Sequence, residues 1–175
     1  MRTDLSNAFL EQVNHSIEKH HLPRIERCLK MLSEADIWWR PNEASNSVGN
    51  LVLHVCGNVR QWIIAGLGGA DDQRERDQEF AEQGPIPRRA LLALLRRTVR
   101  EASEVLARLT TEDLARARPI QKFEVMGLTA AFHVAEHFAF HTGQVIYVTK
   151  MKRGLDLRFT SLPGEKKRRV GLTQV

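Results

Sequence analysis

The sequence predicts an all-α protein, a four-helix bundle with long connections between its helices. Three observations carry that expectation. Apolar residues recur at three-to-four spacing in four separate segments, no segment sustains the alternation of a half-buried strand, and no internal repeat is present. The 175 residues suit one domain, with 42% apolar and 27% charged side chains as in ordinary globular proteins. Residues 1–155 read as a single helical-bundle domain and residues 156–175 as an irregular, basic C-terminal tail.

The first helical segment runs from about Thr3 to Ser33, with Leu5, Phe9, Val13 and Ile17 followed by Leu22, Ile25, Leu29 and Leu32. Pro23 is expected to kink or break it, because proline lacks the amide proton and crowds the preceding turn. Ser33 and Asp36 have the spacing of a capping box for a short helical turn. Trp38 and Trp39 then suit a lid over one end of the core. Ser47 can cap the second helix, "SVGNLVLHVCGNVRQWIIAG", which is apolar on most sides and so the most buried of the four.

The following stretch, "GLGGADDQRERDQEFAEQGP", is rich in glycine and then in charge, the composition of a mobile surface loop with one helical turn around Phe80. Pro87 can open the third helix, which places Leu91, Leu94, Leu95, Val99, Val105, Leu106 and Leu109 opposite a face rich in arginine. "TTEDLARARPIQKFEVMG" reads as a connector, and the last helix spans about Leu128 to Met151.

The net charge of +5 is unevenly placed: residues 119–175 hold nine basic and four acidic side chains, while the rest of the chain is balanced. "EKKRR" (165–169) supplies much of the excess, a solvated tail rather than a nucleic-acid motif. No apolar run approaches the roughly 18 residues of a membrane span, and the N-terminus lacks the apolar core of a secretory signal. A cytoplasmic protein with no membrane or nucleic-acid partner is expected. Cys28 and Cys56 are too few and too far apart for a disulfide framework or a thiolate metal site.

Chemistry concentrates in "HVAEHFAFH" (133–141). Helical residues four apart lie about 40° apart around the axis and about 6 Å apart along it, so His133, His137 and His141 form one stripe. Neighbouring pairs can share a metal ion. His133 and His141, separated by about 12 Å of rise, cannot easily do so, and spacing leaves either pair open. A third ligand must come from another helix.

His54, alone among apolar residues of the second helix, needs a partner and suits that role, whereas His15, His20 and His21 lie among charged residues. Three imidazoles leave a coordination position open, the pattern of a catalytic metal site. They suit zinc, nickel, copper or ferrous iron alike. Cys56 faces away from His54, and Glu136 lies about 100° round from His137, toward solvent, where it is no general base. Asn58, one turn beyond His54, and Gln144, three residues beyond His141, are candidates for outer-sphere or substrate contacts.

"NSVGNLVLHVCGNVRQW" followed by "HVAEHFAFHTGQVIYVTK" resembles the DinB-like (YfiT-like) metalloenzyme family, in one of its uncharacterised branches. The resemblance spans roughly residues 5–155 and rests on a lone histidine in helix two and a final-helix "HxxxHxGQ". It implies a four-helix bundle, often a homodimer, with one divalent transition metal on His54, His137 and His141. Zinc or nickel comes first, then iron or manganese, and His133 becomes an extra histidine one turn away. Characterised relatives include low-molecular-weight thiol S-transferases. The implied function is a metal-dependent enzyme of hydrolase or thiol-transferase type acting on a small molecule. The alternative is a non-catalytic metal- or ligand-binding stress-response protein.

Overall fold

The structure, a computed structural model, describes residues 4–160; the basic run 165–169 lies outside the described residues. The first rod begins with α1 (Leu5–Asn14), capped by Asp4, whose carboxylate accepts the Ser6 N–H at 3.1 Å. It passes through a wide π-helical turn at His15–His21 into α2 (Leu22–Met31). The break expected at Pro23 does not occur. Pro23 follows directly on the wide turn, whose looser winding makes room for the ring within a continuous rod.

Serine caps act where the sequence places them. Ser33 and Asp36 form a reciprocal capping box on α3 (Glu34–Trp38), and Ser47 and Asn50 form another on α4 (Val48–Val59). A second π-helical turn, Arg60–Ala65, extends α4. Nearly every α4 side chain is buried, as its all-round apolar sequence requires. Next come α5 (Arg76–Ala81), and then α6 (Arg88–Leu106), with Pro87 one residue before its first turn. After α7 (Thr111–Ala115) and a hairpin, α8 (Gly127–Arg153) ends at Gly154 in a left-handed cap, φ +61°.

α2 and α4 each pack on both α6 and α8, so the four long rods form a closed ring around one core. Ile25, Leu29, Val52, Ile63, Leu91, Leu95, Val134 and Phe138 fill it. Leu157, beyond the last helix, is buried in the same core. None of the described helices is long and apolar enough to cross a membrane.

Two connections depart from expectation. Residues 110–126 are not a plain connector: a Thr110–Asp113 capping box starts α7, and β1 (Ala117–Ile120) pairs antiparallel with β2 (Phe123–Met126), Ala117 opposite Met126 and Ile120 opposite Phe123. The stretch read as a mobile surface loop contains the helical turn expected at Phe80, but α5 lies packed against α4.

Several long-range contacts tie this segment down. Asn50, fully buried, donates to the carbonyls of Glu79 and Glu82 at 2.9 and 2.7 Å, and Arg40 donates to that of Phe80 at 2.9 Å. These carbonyls belong to the end of a short helix, where no intrahelical N–H reaches them. Trp38 packs against the backbone of Gly49 and Gly84, which leave room for its ring, and donates to the Ile86 carbonyl at 3.2 Å. Its lid is therefore over this strap of chain.

Candidate metal centre

α4 and α8 cross at the level of His54, and the side chains of His54, His137 and His141 converge there. One ring nitrogen from each lies within 4.8 Å of the other two, and Nε2 of His54 is 2.9 Å from Nε2 of His137. His54 and His141 are buried, and His137 is half-buried.

The second nitrogen of two rings is already engaged. Nδ1 of His54 lies 2.8 Å from Glu79 Oε2, and Nδ1 of His141 lies 2.7 Å from Gln144 Oε1. A carboxylate and an amide oxygen only accept, so each Nδ1 carries a proton and each Nε2 faces the centre; Arg74 Nη2, 3.1 Å from the same His54 Nδ1, gives its hydrogen to Glu79 Oε2 at 2.9 Å. Oriented imidazoles backed by such acceptors are the usual outer sphere of a metal site.

Glu79 is itself held. Arg74 donates to it through Nε at 2.7 Å and Nη2 at 2.9 Å, and through Nη1 to Gln61 Oε1 at 2.9 Å. Burial pushes the Glu79 carboxyl up, but the bonds from Arg74 and His54 outweigh it and hold it below its ordinary value. Gly57, one turn after His54, makes the approach possible, because a Cβ there would run into Glu79 Oε1.

Electrostatics keep His137 and His141 neutral. Burial first, then the neighbouring rings of His141, His54 and His133 and the charge of Arg74, push His137 down to about 3. Burial lowers His141 as well, although its bond to Gln144 opposes the shift. Two Nε2 lone pairs 2.9 Å apart repel unless a proton or a cation lies between them. The donor set therefore fits a divalent transition metal: three imidazoles, two of them with their orientation fixed.

The remaining sequence candidates fall in different places. Asn58 donates to Nε2 of His133 at 3.2 Å, and the His133 ring lies between Trp62, 4.2 Å away, and His137, 5.3 Å away. Neither Asn58 nor His133 belongs to the converging trio. Gln144 reaches the trio only through His141. Glu136 is exposed, as expected from its angle. Cys56 is buried, and burial pushes its thiol up to about 12, so it offers no thiolate at neutral pH. His15 and His20 are exposed on the first rod.

Glu79 and Arg74 are the site residues that sequence reasoning missed. They lie in a charged run without periodicity, 20 or more residues from His54. The available signal was Gly57: a glycine inside a helix costs about 1 kcal/mol relative to alanine, and is worth keeping where another group must approach closely.

A cavity of about 420 Å³ opens beside the trio. His54, His133 and His137 lie on one side of it and the hairpin residues Gln121, Phe123 and Val125 on the other. Its size suits a small molecule.

The fold is the helical bundle seen in DinB-like proteins. Three solved structures share the fold. A DinB-like protein (YjoA) from Bacillus subtilis aligns with a TM-score of 0.61 at 20% identity, over 81% of this chain and 92% of its own. A conserved protein from Enterococcus faecalis aligns at 0.65 and 18% identity, over 86% and 96%. A DinB-like protein from Bacillus cereus aligns at 0.61 and 16%, over 79% and 89%. No curated protein matches the sequence significantly. The chain belongs to the family described as Protein of unknown function (DUF1572), whose pattern matches residues 4–166. Membership agrees with the resemblance to an uncharacterised DinB-like branch.

Proposed function

We propose that the protein is a metal-dependent enzyme of hydrolase or thiol-transferase type. One observation carries the proposal: three imidazoles from two helices converge beside a cavity of small-molecule size. His54, His137 and His141 would hold one divalent ion, zinc or nickel first and iron or manganese next. A divalent cation held by three imidazoles supplies Lewis acidity, lowering the pKa of a water or a low-molecular-weight thiol toward neutrality.

The chain's own residues do the rest. Glu79 and Gln144 keep the protons of His54 and His141 on Nδ1, facing away from the centre. Burial between α4 and α8 excludes bulk water and strengthens charge interactions inside the site. His133, beside His137 and bonded to Asn58, lines the cavity and is placed to contact a substrate.

A homodimer belongs to the same proposal. Leu128, Phe132, Phe140, Tyr147 and Met151 are large apolar side chains exposed along the outer side of α8, with Glu136 among them. Nothing stands over Gly143 on that helix, so a second copy can approach it closely.

The test assays metal-loaded protein for hydrolysis of small esters and amides, and for transfer of a low-molecular-weight thiol to an aryl halide. Turnover that disappears with a chelator and in His137→Ala supports the enzyme. Full metal occupancy without turnover in either assay would favour the non-catalytic binding protein.

A further inference from the structure

The cavity beside the imidazoles gathers features that the metal centre leaves unexplained. Asn58 and Trp62 line it and are more than nine-tenths buried, yet Asn58 Oδ1 and Trp62 Nε1 have no hydrogen-bond partner among the described residues. Buried polar atoms without partners are rare, and each calls for an explanation.

Arg76, an exposed residue, lines the same cavity. Its guanidinium lies over the Phe80 ring, 5.0 Å from the centroid, and Phe80 lies 4.6 Å from the His54 ring. Among the described residues no carboxylate pairs with Arg76. The other arginine there, Arg74, is committed to Glu79 and Gln61. No aspartate or glutamate lines the cavity, although the chain has 21 of them. Across from these groups the hairpin presents Phe123, a ring 58% exposed with no structural use for that exposure.

We infer that this cavity binds a small organic anion with an apolar, ring-sized body. The anionic group pairs with Arg76, whose planar fork matches carboxylate and phosphate oxygens alike. The body packs against Phe123, and the reacting end is turned toward His54 and His137. The inference rests on the proposed function only for the direction of the reacting end; the charge preference stands on Arg76 and the lining.

The test is calorimetry on full-length protein of measured metal content, with phenylacetate, phenyl phosphate and the neutral phenylacetamide as probes. At least one anion is expected to bind about tenfold more tightly than the amide, the usual scale of a charge-assisted contact. The two anions separate a carboxylate from a phosphate ligand. Arg76→Gln is expected to remove the preference without changing metal content, and Phe123→Ala to weaken anion and amide together. Equal binding of anions and amide, no binding of any probe, or an unchanged preference in Arg76→Gln would overturn the inference. Chelator-treated wild type repeats the measurement without metal. An Arg76-dependent preference that survives there supports the inference independently of the metal reading.

Discussion

Glu79 Oε2 stands 2.8 Å from Nδ1 of His54, although 25 residues separate the two and they lie on different helices. The contact places the proton of His54 on Nδ1, and thereby makes a surface connection part of the candidate metal centre. Removing it should cost metal affinity. Glu79→Ala is expected to weaken zinc binding about ten- to a hundredfold, while Glu79→Gln, which can still accept the Nδ1 proton, should lose less. Chelator competition measures both, and equal affinity in all three proteins would show that Glu79 is irrelevant to the site.

Gly57→Ala tests the same relationship from the other side. The new methyl would occupy the place of Glu79 Oε1 and force the carboxylate away, leaving the three histidines in place. Zinc affinity should fall in the same direction as in Glu79→Ala, with helix content by circular dichroism unchanged. Wild-type affinity in this variant would mean that the strap yields without consequence.

Acid should destabilise the metal-free fold in a defined window. Burial first, then His20 and Arg24, push His21 down to about 4 from an ordinary 6.5, and His137 goes to about 3. Both are neutral when folded, so below pH 6.5 the unfolded chain takes up protons that the folded chain refuses. Stability is full above 6.5 and declines as pH falls toward 4 and 3. Urea midpoints at pH 7.5 and pH 5 should show the loss, and His21→Leu should reduce it. A midpoint unchanged between those values would contradict the burial assigned to these rings.

Phe140→Glu should convert the proposed homodimer to a monomer, because it adds a second charge beside Glu136 on the exposed face of α8. Light scattering coupled to size exclusion reads the masses. A monomeric wild type would contradict the assignment of this face to a second copy.

The sequence displayed the frame of the molecule through features that act locally. Ser33, Ser47 and the apolar spacing of four segments foretold their helices because caps and periodicity operate within a few residues. Pro23 misled in degree, since a π-helical turn absorbed the crowding that proline causes. The hairpin 117–126 was hidden by four-residue strands, by Pro119 within one of them, and by a turn at Gln121 (φ +57°) without the usual Asn-Gly. At the site, the stripe of His133, His137 and His141 was legible from spacing, but choosing the pair needed the family resemblance. Arg74 and Glu79 had no signal beyond Gly57, because what orders them is tertiary: the carbonyls they lead to are pinned by Asn50 and Arg40 from another part of the chain.

The central claim is that His54, His137 and His141 bind one divalent metal ion. The most direct measurement is elemental analysis of untagged protein after incubation with zinc, nickel, iron or manganese and removal of excess, beside His54→Ala and His137→Ala. About one equivalent of a transition metal in the wild type, and far less in both variants, is the predicted result. Wild-type protein that stays metal-free with every ion, or variants that retain a full equivalent, would contradict it.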